Sequence, residues 1–270
     1  MTIHPPLGRV LIIAGSDSGG GAGVQADIKT VTLLGGYAAT AITALTAQNT
    51  LGVQAIEPVS PAMVLAQARA VLGDIGADII KTGMLGDQAM VETIAALLDE
   101  AGLPAVIDPV MLAKSGAALL DPAAVGAVRA LLVPRAALLT PNAPEAEALT
   151  GIVVADLDGM RRAGEALLAA GARAVLMKGG HVPGETVTDL LISAAGETTF
   201  SGPRLDTRHT HGTGCTLASA CAVGLAQGLP LTEAAARAWA YVAEAMRRAP
   251  GLGAGAGPLD HGWPLRGPLL

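Results

Sequence analysis

The sequence predicts an α/β fold in three layers: a mostly parallel central sheet, helices on both of its faces, and a small flap. Three observations point there. Short apolar runs alternate with amphipathic stretches along nearly the whole chain. The runs are almost continuously apolar, as strands covered on both faces must be. The 35 glycines and 17 prolines punctuate these segments, as loop residues between strands and helices do.

Taken in order, residues 10–14, 77–81, 105–108, 137–140 and 173–178 read as strands, each a short apolar run bounded by loop residues. Helical periodicity fills 24–34, 61–72, 88–101, 122–132 and 157–170 between them. Crossovers of this kind are right-handed. Residues 37–59 break the alternation; rich in Thr, Ala, Val and Ile and without a crossover helix, they read as a flap beside the main sheet. Residues 186–203 read as an antiparallel pair turned at Ala195-Gly196, followed by helices over 214–227 and 232–248. Arg247 and Arg248 complement the C-terminal end of the last helix and Pro250 stops it. Residues 250–270 are rich in Gly and Pro and read as an irregular tail. No repeat or linker divides the chain, so one domain is expected over 1–270.

Hydrophobic residues make up 51% of the chain and aromatics only 2%, so Ala, Leu, Val and Ile must fill the core. An α/β domain of this length buries roughly three quarters of its unfolded surface. The net charge is −6 and the 17 basic residues are scattered, which argues against a nucleic-acid partner, since that needs a concentrated basic patch. No apolar run is long enough for a transmembrane helix, so no membrane partner is expected. The opening MTIHPPLGRVLIIAG carries neither a basic leader nor a small-residue cleavage site. Cys215 and Cys221 are the two cysteines. On one helix they would sit about 9 Å apart along the axis, too far for a disulfide, which needs Cα atoms within about 7 Å. Free thiols fit a reducing compartment, so a cytoplasmic protein is expected.

Two glycine-rich segments carry chemistry. The first, GSDSGGGAG at 15–23, follows a strand and opens a helix. It is either a platform of free amides for an anion or ligand, or a tight turn without one. It contains no P-loop signature and lacks the GxGxxG phase. The second, HTHGTGCT at 209–216, starts another helix. Gly212 and Gly214 would let backbone amides approach a phosphate and stabilise a phosphoryl group in transfer; the alternative is an ordinary N-cap by Thr213. His209 and His211 lack a third ligand at metal-binding spacing. Asp108, Asn142, Glu145 and Lys178 follow successive strands, at the carboxyl edge where open α/β sheets bind ligands. Asp108, Asn142 and Glu145 offer hard oxygens suited to magnesium held through waters and phosphates, or else Asn142 and Glu145 cap a helix. Lys178 either neutralises phosphate charge or is simply solvated.

In order along the chain, AGSDSGGGAGVQADIKT (14–30), ITALTAQNTLGVQ (42–54), KTGMLG (81–86), DPVMLAKSG (108–116), LTPNAPEAEAL (139–149), VLMKGGH (175–181) and THGTGCTLASA (210–220) resemble the hydroxymethylpyrimidine/phosphomethylpyrimidine kinases of thiamine biosynthesis. Those belong to the ribokinase-like superfamily. The resemblance implies a ribokinase-like fold and an ATP- and Mg2+-dependent homodimeric kinase. It would phosphorylate 4-amino-5-hydroxymethyl-2-methylpyrimidine and then its monophosphate. It also implies that the pyrimidine sits between Gly15, Asp27, Gln48, Met84 and Val110. Gln48 would read a ring nitrogen and its neighbouring amine with one donor and one acceptor, unless it is a flap surface residue. Nucleotide phosphates would meet Lys178, Asn142, Gly212 and Thr213, with Asp108 and Glu145 on the metal. Cys215, Gly212, Gly214 and Lys178 would carry catalysis. Ribokinase-like sugar kinases carry an aspartate base where this chain has Cys215, which leaves the base open. A helix N-terminus lowers a thiol's pKa, so some thiolate is expected there. Pyridoxine or pyridoxal kinase is the alternative function, since some related cysteine-bearing kinases phosphorylate pyridoxine-type alcohols.

Overall fold

A computed structural model describes residues 7–113, 116 and 118–266. Lys114 and Ser115 of the DPVMLAKSG stretch lie outside the described residues. The strands are β1 (Arg9–Asp17), β2 (Tyr37–Asn49), β3 (Gly52–Pro58), β4 (Ile79–Thr82), β5 (Ala105–Ile107), β6 (Leu138–Leu139), β7 (Ala174–Met177), β8 (Thr186–Ser193) and β9 (Gly196–Pro203). They form one sheet in the order β3-β2-β1-β4-β5-β6-β7-β8-β9. From β2 to β7 every neighbouring pair is parallel; β3, β8 and β9 join antiparallel.

Side chains alternate across the sheet and feed two cores. Leu11, Ile13, Ile80 and Ile107 face α2 (Pro61–Asp74), α3 (Gln88–Ala101) and α6 (Leu157–Ala169). Val10, Ile12, Ala14, Ile79 and Val106 face α1 (Gly23–Leu33), α7 (Thr213–Ala226) and α8 (Leu231–Arg247). Each buried Leu, Ile or Val contributes about 1.5–3 kcal/mol of transfer free energy. The helices start where short polar side chains accept first-turn amides: Ser60 from Met63, Asp87 from Met90, Asp156 from Gly159.

Three expectations change. The flap is not beside the main sheet but continuous with it. The first part of β2 pairs parallel with β1 from Arg9↔Tyr37 onward, and its far end pairs antiparallel with β3. One 13-residue strand thus serves two neighbours, which its Thr/Ala/Ile-rich sequence permits. The helix expected over 122–132 is irregular: a 3-10 turn, then α4 (Val125–Ala127), then a π segment Val128–Leu132 and another 3-10 turn. Pro134 has no amide to bond back into the preceding turn, and Gly126 and three valines weaken the helix further. A helix the periodicity did not reveal, α5 (Ala143–Thr150), follows β6 behind Pro141 and Pro144. Proline in a first turn loses no hydrogen bond, so it starts this helix rather than breaking it.

Candidate active site

The carboxyl ends of β1, β4, β5, β6 and β7 open into one cleft of about 520 Å³. Its walls bring together Gly15, Gln48, Met84, Asp108, Val110, Asn142, Glu145, Lys178, Gly212, Thr213, Gly214 and Cys215. The remaining residue expected there, Asp27, does not reach it. Asp27 sits in α1, wholly buried, bonded to Lys81 Nζ at 2.8 and 3.0 Å and to the Ser219 hydroxyl at 2.6 Å. Its carboxylate is used up inside the protein, so contact with a ligand is corrected to a structural role.

One end of the cleft is charged. The Lys178 ammonium donates to Asp108 Oδ1 at 2.8 Å and lies 3.6 Å from Glu145 Oε2. Thr140 donates to the same Asp108 oxygen at 3.0 Å, while Asp108 Oδ2 is buried with no partner among the described residues. Burial alone would lower the Lys178 pKa, but Asp108 and Glu145 outweigh it and raise it, so the lysine stays cationic. Burial pushes the Glu145 carboxyl up, with Lys178 opposing. Asn142 and Glu145 form a capping box on α5: Glu145 N donates to Asn142 Oδ1 at 2.9 Å and Asn142 N to Glu145 Oε2 at 2.8 Å. The capping alternative therefore holds, and it leaves Asn142 Oδ1 already occupied.

The start of α7 faces that charge cluster. Gly212 is its N-cap with φ +84, and a Cβ there would meet the Gly21 carbonyl at 1.8 Å, so only glycine fits. Thr213 does not cap the helix; its hydroxyl donates backward to Thr210 O at 3.2 Å. The first intrahelical bond runs from Thr216 N to Gly212 O, which leaves the amides of Gly214 and Cys215 ahead of it. A Cβ on Gly214 would lie 3.1 Å from Lys178 Nζ, so the helix start and the lysine share one space. The Cys215 thiol contradicts the lowered pKa expected of it. Burial pushes it up to about 11, Lys81 opposing and Asp27 and Asp108 adding to the rise.

The opposite end joins an apolar wall to a chain of polar groups. A Cβ on Gly15 would meet Met84 Sδ at 2.9 Å, so glycine makes room for the thioether wall. Gln48 is fixed at its backbone by Ser18, whose hydroxyl donates to Gln48 O and accepts from Gln48 N, both at 2.8 Å. Its side-chain amide lies 2.9 Å from His211 Nε2, which lies 2.9 Å from Asp17 Oδ2. The first glycine loop is not an open anion platform: Gly19, Gly21 and Ala22 donate their amides to Asp17 at 2.8–3.0 Å. Sequence reasoning missed Asp17, Ser18 and His211. The signal was present in an aspartate with glycines two and four positions on, the spacing at which a carboxylate gathers its own loop amides.

The phosphomethylpyrimidine kinase family matches residues 17–260. The chain belongs to that family. The hydroxymethylpyrimidine/phosphomethylpyrimidine kinase of Streptomyces coelicolor is 50% identical over 97% of this chain and 97% of its own length. The thiamine biosynthesis bifunctional protein ThiED of Geobacter sulfurreducens is 52% identical over 95% of this chain, which spans 52% of that longer protein. Among solved structures, Bacillus subtilis pyridoxal kinase in an ADP complex superposes with a TM-score of 0.90 at 34% identity, over 97% of this chain and 100% of its own. This phosphomethylpyrimidine kinase family member is thus a phosphotransferase with the ribokinase-like fold. No helix among its described residues is long and apolar enough to cross a membrane.

Proposed function

We propose that this kinase uses ATP to phosphorylate 4-amino-5-hydroxymethyl-2-methylpyrimidine and then its monophosphate, in thiamine biosynthesis. One observation carries the reading. A polar reader, Gln48, and apolar walls, Met84 and Val110, line the same cleft as Lys178 and the amide-rich start of α7. A flat heteroaromatic ring fits the first group and a transferring phosphoryl group fits the second. Lys178 and the Gly214 and Cys215 amides would bear the charge on phosphate oxygens, and Thr213, Gly212 and Asn142 would flank the nucleotide.

The donor set fits magnesium. Asp108 Oδ2 is a buried carboxylate oxygen with no partner among the described residues, beside Glu145. No cluster of three or more His, Cys, Asp or Glu among the described residues could hold a metal by itself. That suits an ion shared with waters and substrate phosphates. Bound there, it would neutralise charge on the phosphoryl group. The working form is a homodimeric cytoplasmic enzyme whose kinase unit spans the chain.

A second reading, pyridoxine or pyridoxal kinase, draws on the close likeness to Bacillus subtilis pyridoxal kinase. Steady-state kcat/KM for the pyrimidine alcohol, its monophosphate and pyridoxine decides between them. Preference for the two pyrimidines supports the first reading; preference for pyridoxine replaces it with the second.

A further inference from the structure

The orientation of the Gln48 amide follows from its neighbours. Asp17 accepts amides from Gly19, Gly21 and Ala22 and is buried at the foot of the cleft. Burial would raise its pKa, but His211 and the loop amides outweigh this and hold it below the usual carboxylate range. Asp17 is therefore an anion. His211 Nε2 lies 2.9 Å from its Oδ2, and a bare ring nitrogen at that distance would set lone pair against lone pair. The proton therefore sits on Nε2.

That proton settles the next contact. As placed, the Gln48 amide nitrogen lies 2.9 Å from the same Nε2. An NH2 group there would oppose N–H to N–H, whereas a carbonyl oxygen can share the proton with Asp17. Amide oxygen and nitrogen have the same shape, so chemistry decides between them. The oxygen faces His211 and the NH2 lies on the far side. Gly21 packs directly against the ring, and the backbone of His211 is tied down. A Cβ on Gly21 would stand 2.5 Å from His211 Cδ2, and His211 N donates to Gly257 O at 3.1 Å.

We propose that His211, anchored by Asp17, is a specificity-positioning residue that fixes the order of acceptor and donor on Gln48. The second lone pair of the amide oxygen then meets a substrate donor on the His211 side, and the NH2 meets an acceptor beyond it. This suits a ring whose exocyclic amine lies next to an unprotonated ring nitrogen. It rejects one that presents the two in reverse. The inference rests on the pyrimidine kinase reading for its substrate, but its structural core does not.

Two measurements test it. Nitrogen-15 NMR of the ligand-free protein near neutral pH should show His211 protonated at Nε2; a proton on Nδ1 alone overturns the proposal whatever the substrate is. In kinetics, His211→Ala should raise KM for the aminopyrimidine alcohol about 3- to 10-fold with kcat within about twofold, the size of one lost hydrogen bond. It should also narrow the preference over the analogue lacking the amine. His211→Gln, which carries an N–H at the same reach, should restore most of both. Equal losses for both alcohols in His211→Ala, or no rescue by His211→Gln, overturns the role. Inactivity of the wild type on the pyrimidine alcohol would instead sink the proposed function and leave the NMR result standing.

Discussion

Lys81 Nζ lies 2.8 Å from Asp27 Oδ2, with both side chains wholly out of solvent. The pair sits between β4 and α1, and Ser219, one turn beyond Cys215 on α7, donates to the same carboxylate. Removing one partner strands the other charge, so Lys81→Met or Asp27→Leu alone should cost about 3–5 kcal/mol. The double variant leaves no stranded charge and should be far less destabilised than the sum of the singles. Urea unfolding of all four proteins measures the coupling. Additive losses would mean that the two groups do not stabilise each other.

Glu145 should matter more to magnesium use than to folding. Glu145→Gln keeps an oxygen for the capping box but removes a charge beside Asp108. The magnesium concentration for half-maximal turnover should rise about tenfold and kcat should fall. The melting temperature should move little, because the cap survives. A magnesium titration checks this; normal kcat at low magnesium would take Glu145 out of the metal network.

If Gln48 reads the ring as proposed, Gln48→Leu would leave its polar edge unpaired in the cleft. An unpaired buried polar group costs about 1–3 kcal/mol, or roughly 5- to 150-fold in kcat/KM. The loss should be smaller for an alcohol lacking the amine. Equal losses for both would make Gln48 a structural residue.

How much of this was legible in the sequence depended on range. Strand–helix alternation and the carboxyl-edge positions of Asp108, Asn142, Glu145 and Lys178 are local patterns, and the structure gathers all four in one cleft. The partners of buried charge are not local. Asp27 and Lys81 are 54 residues apart and Asp17 and His211 are 194 apart. A carboxylate such as Asp27 looks like a ligand until its internal cation is seen. Cys215 fails for the same reason: its place at a helix start is readable, but the burial that raises its pKa belongs to α1, β4 and β5 packed around it. The path of β2 from main sheet into flap is likewise a pairing fact that no single segment carries.

Asp189 gives stability a pH dependence of known sign. Burial pushes its carboxyl up to about 6, with the Gly179 amide and Lys178 opposing. Unfolded, it would titrate near its ordinary value of about 3.9. Between those values the folded state holds a proton that the unfolded state has released. This group's contribution is therefore full below about pH 4 and lost as pH rises through about 6, a change on the order of 1–3 kcal/mol. Asp189→Asn should flatten that slope while still accepting from Gly179 N. Denaturant unfolding at several pH values checks it, and the same slope in both proteins would remove Asp189 as the source.

Cys215, if it is a base, should separate the two phosphorylations. The first acceptor is an alcohol that must lose a proton; the second is a phosphate monoester already ionised near neutral pH. With its pKa pushed up to about 11, the thiol is deprotonated in roughly one molecule in 10⁴ at pH 7. At neutral pH the thiolate would therefore be a small fraction. If it serves, the alcohol step must speed up with pH as thiolate accumulates, approaching tenfold per unit. We expect that slope between about pH 7 and 9 for the alcohol, and none from this group for the monophosphate. Cys215→Ala should abolish the slope, with the loss growing to about 10²-fold at the alkaline end and staying small for the monophosphate. Phosphoryl transfer is largely dissociative, so most of the remaining rate would rest on Lys178 and the first-turn amides proposed to carry it, which the variant keeps. Assaying the two half-reactions separately across pH decides the matter. Equal losses in both, independent of pH, would mean that Cys215 shapes the amide cradle and takes no proton.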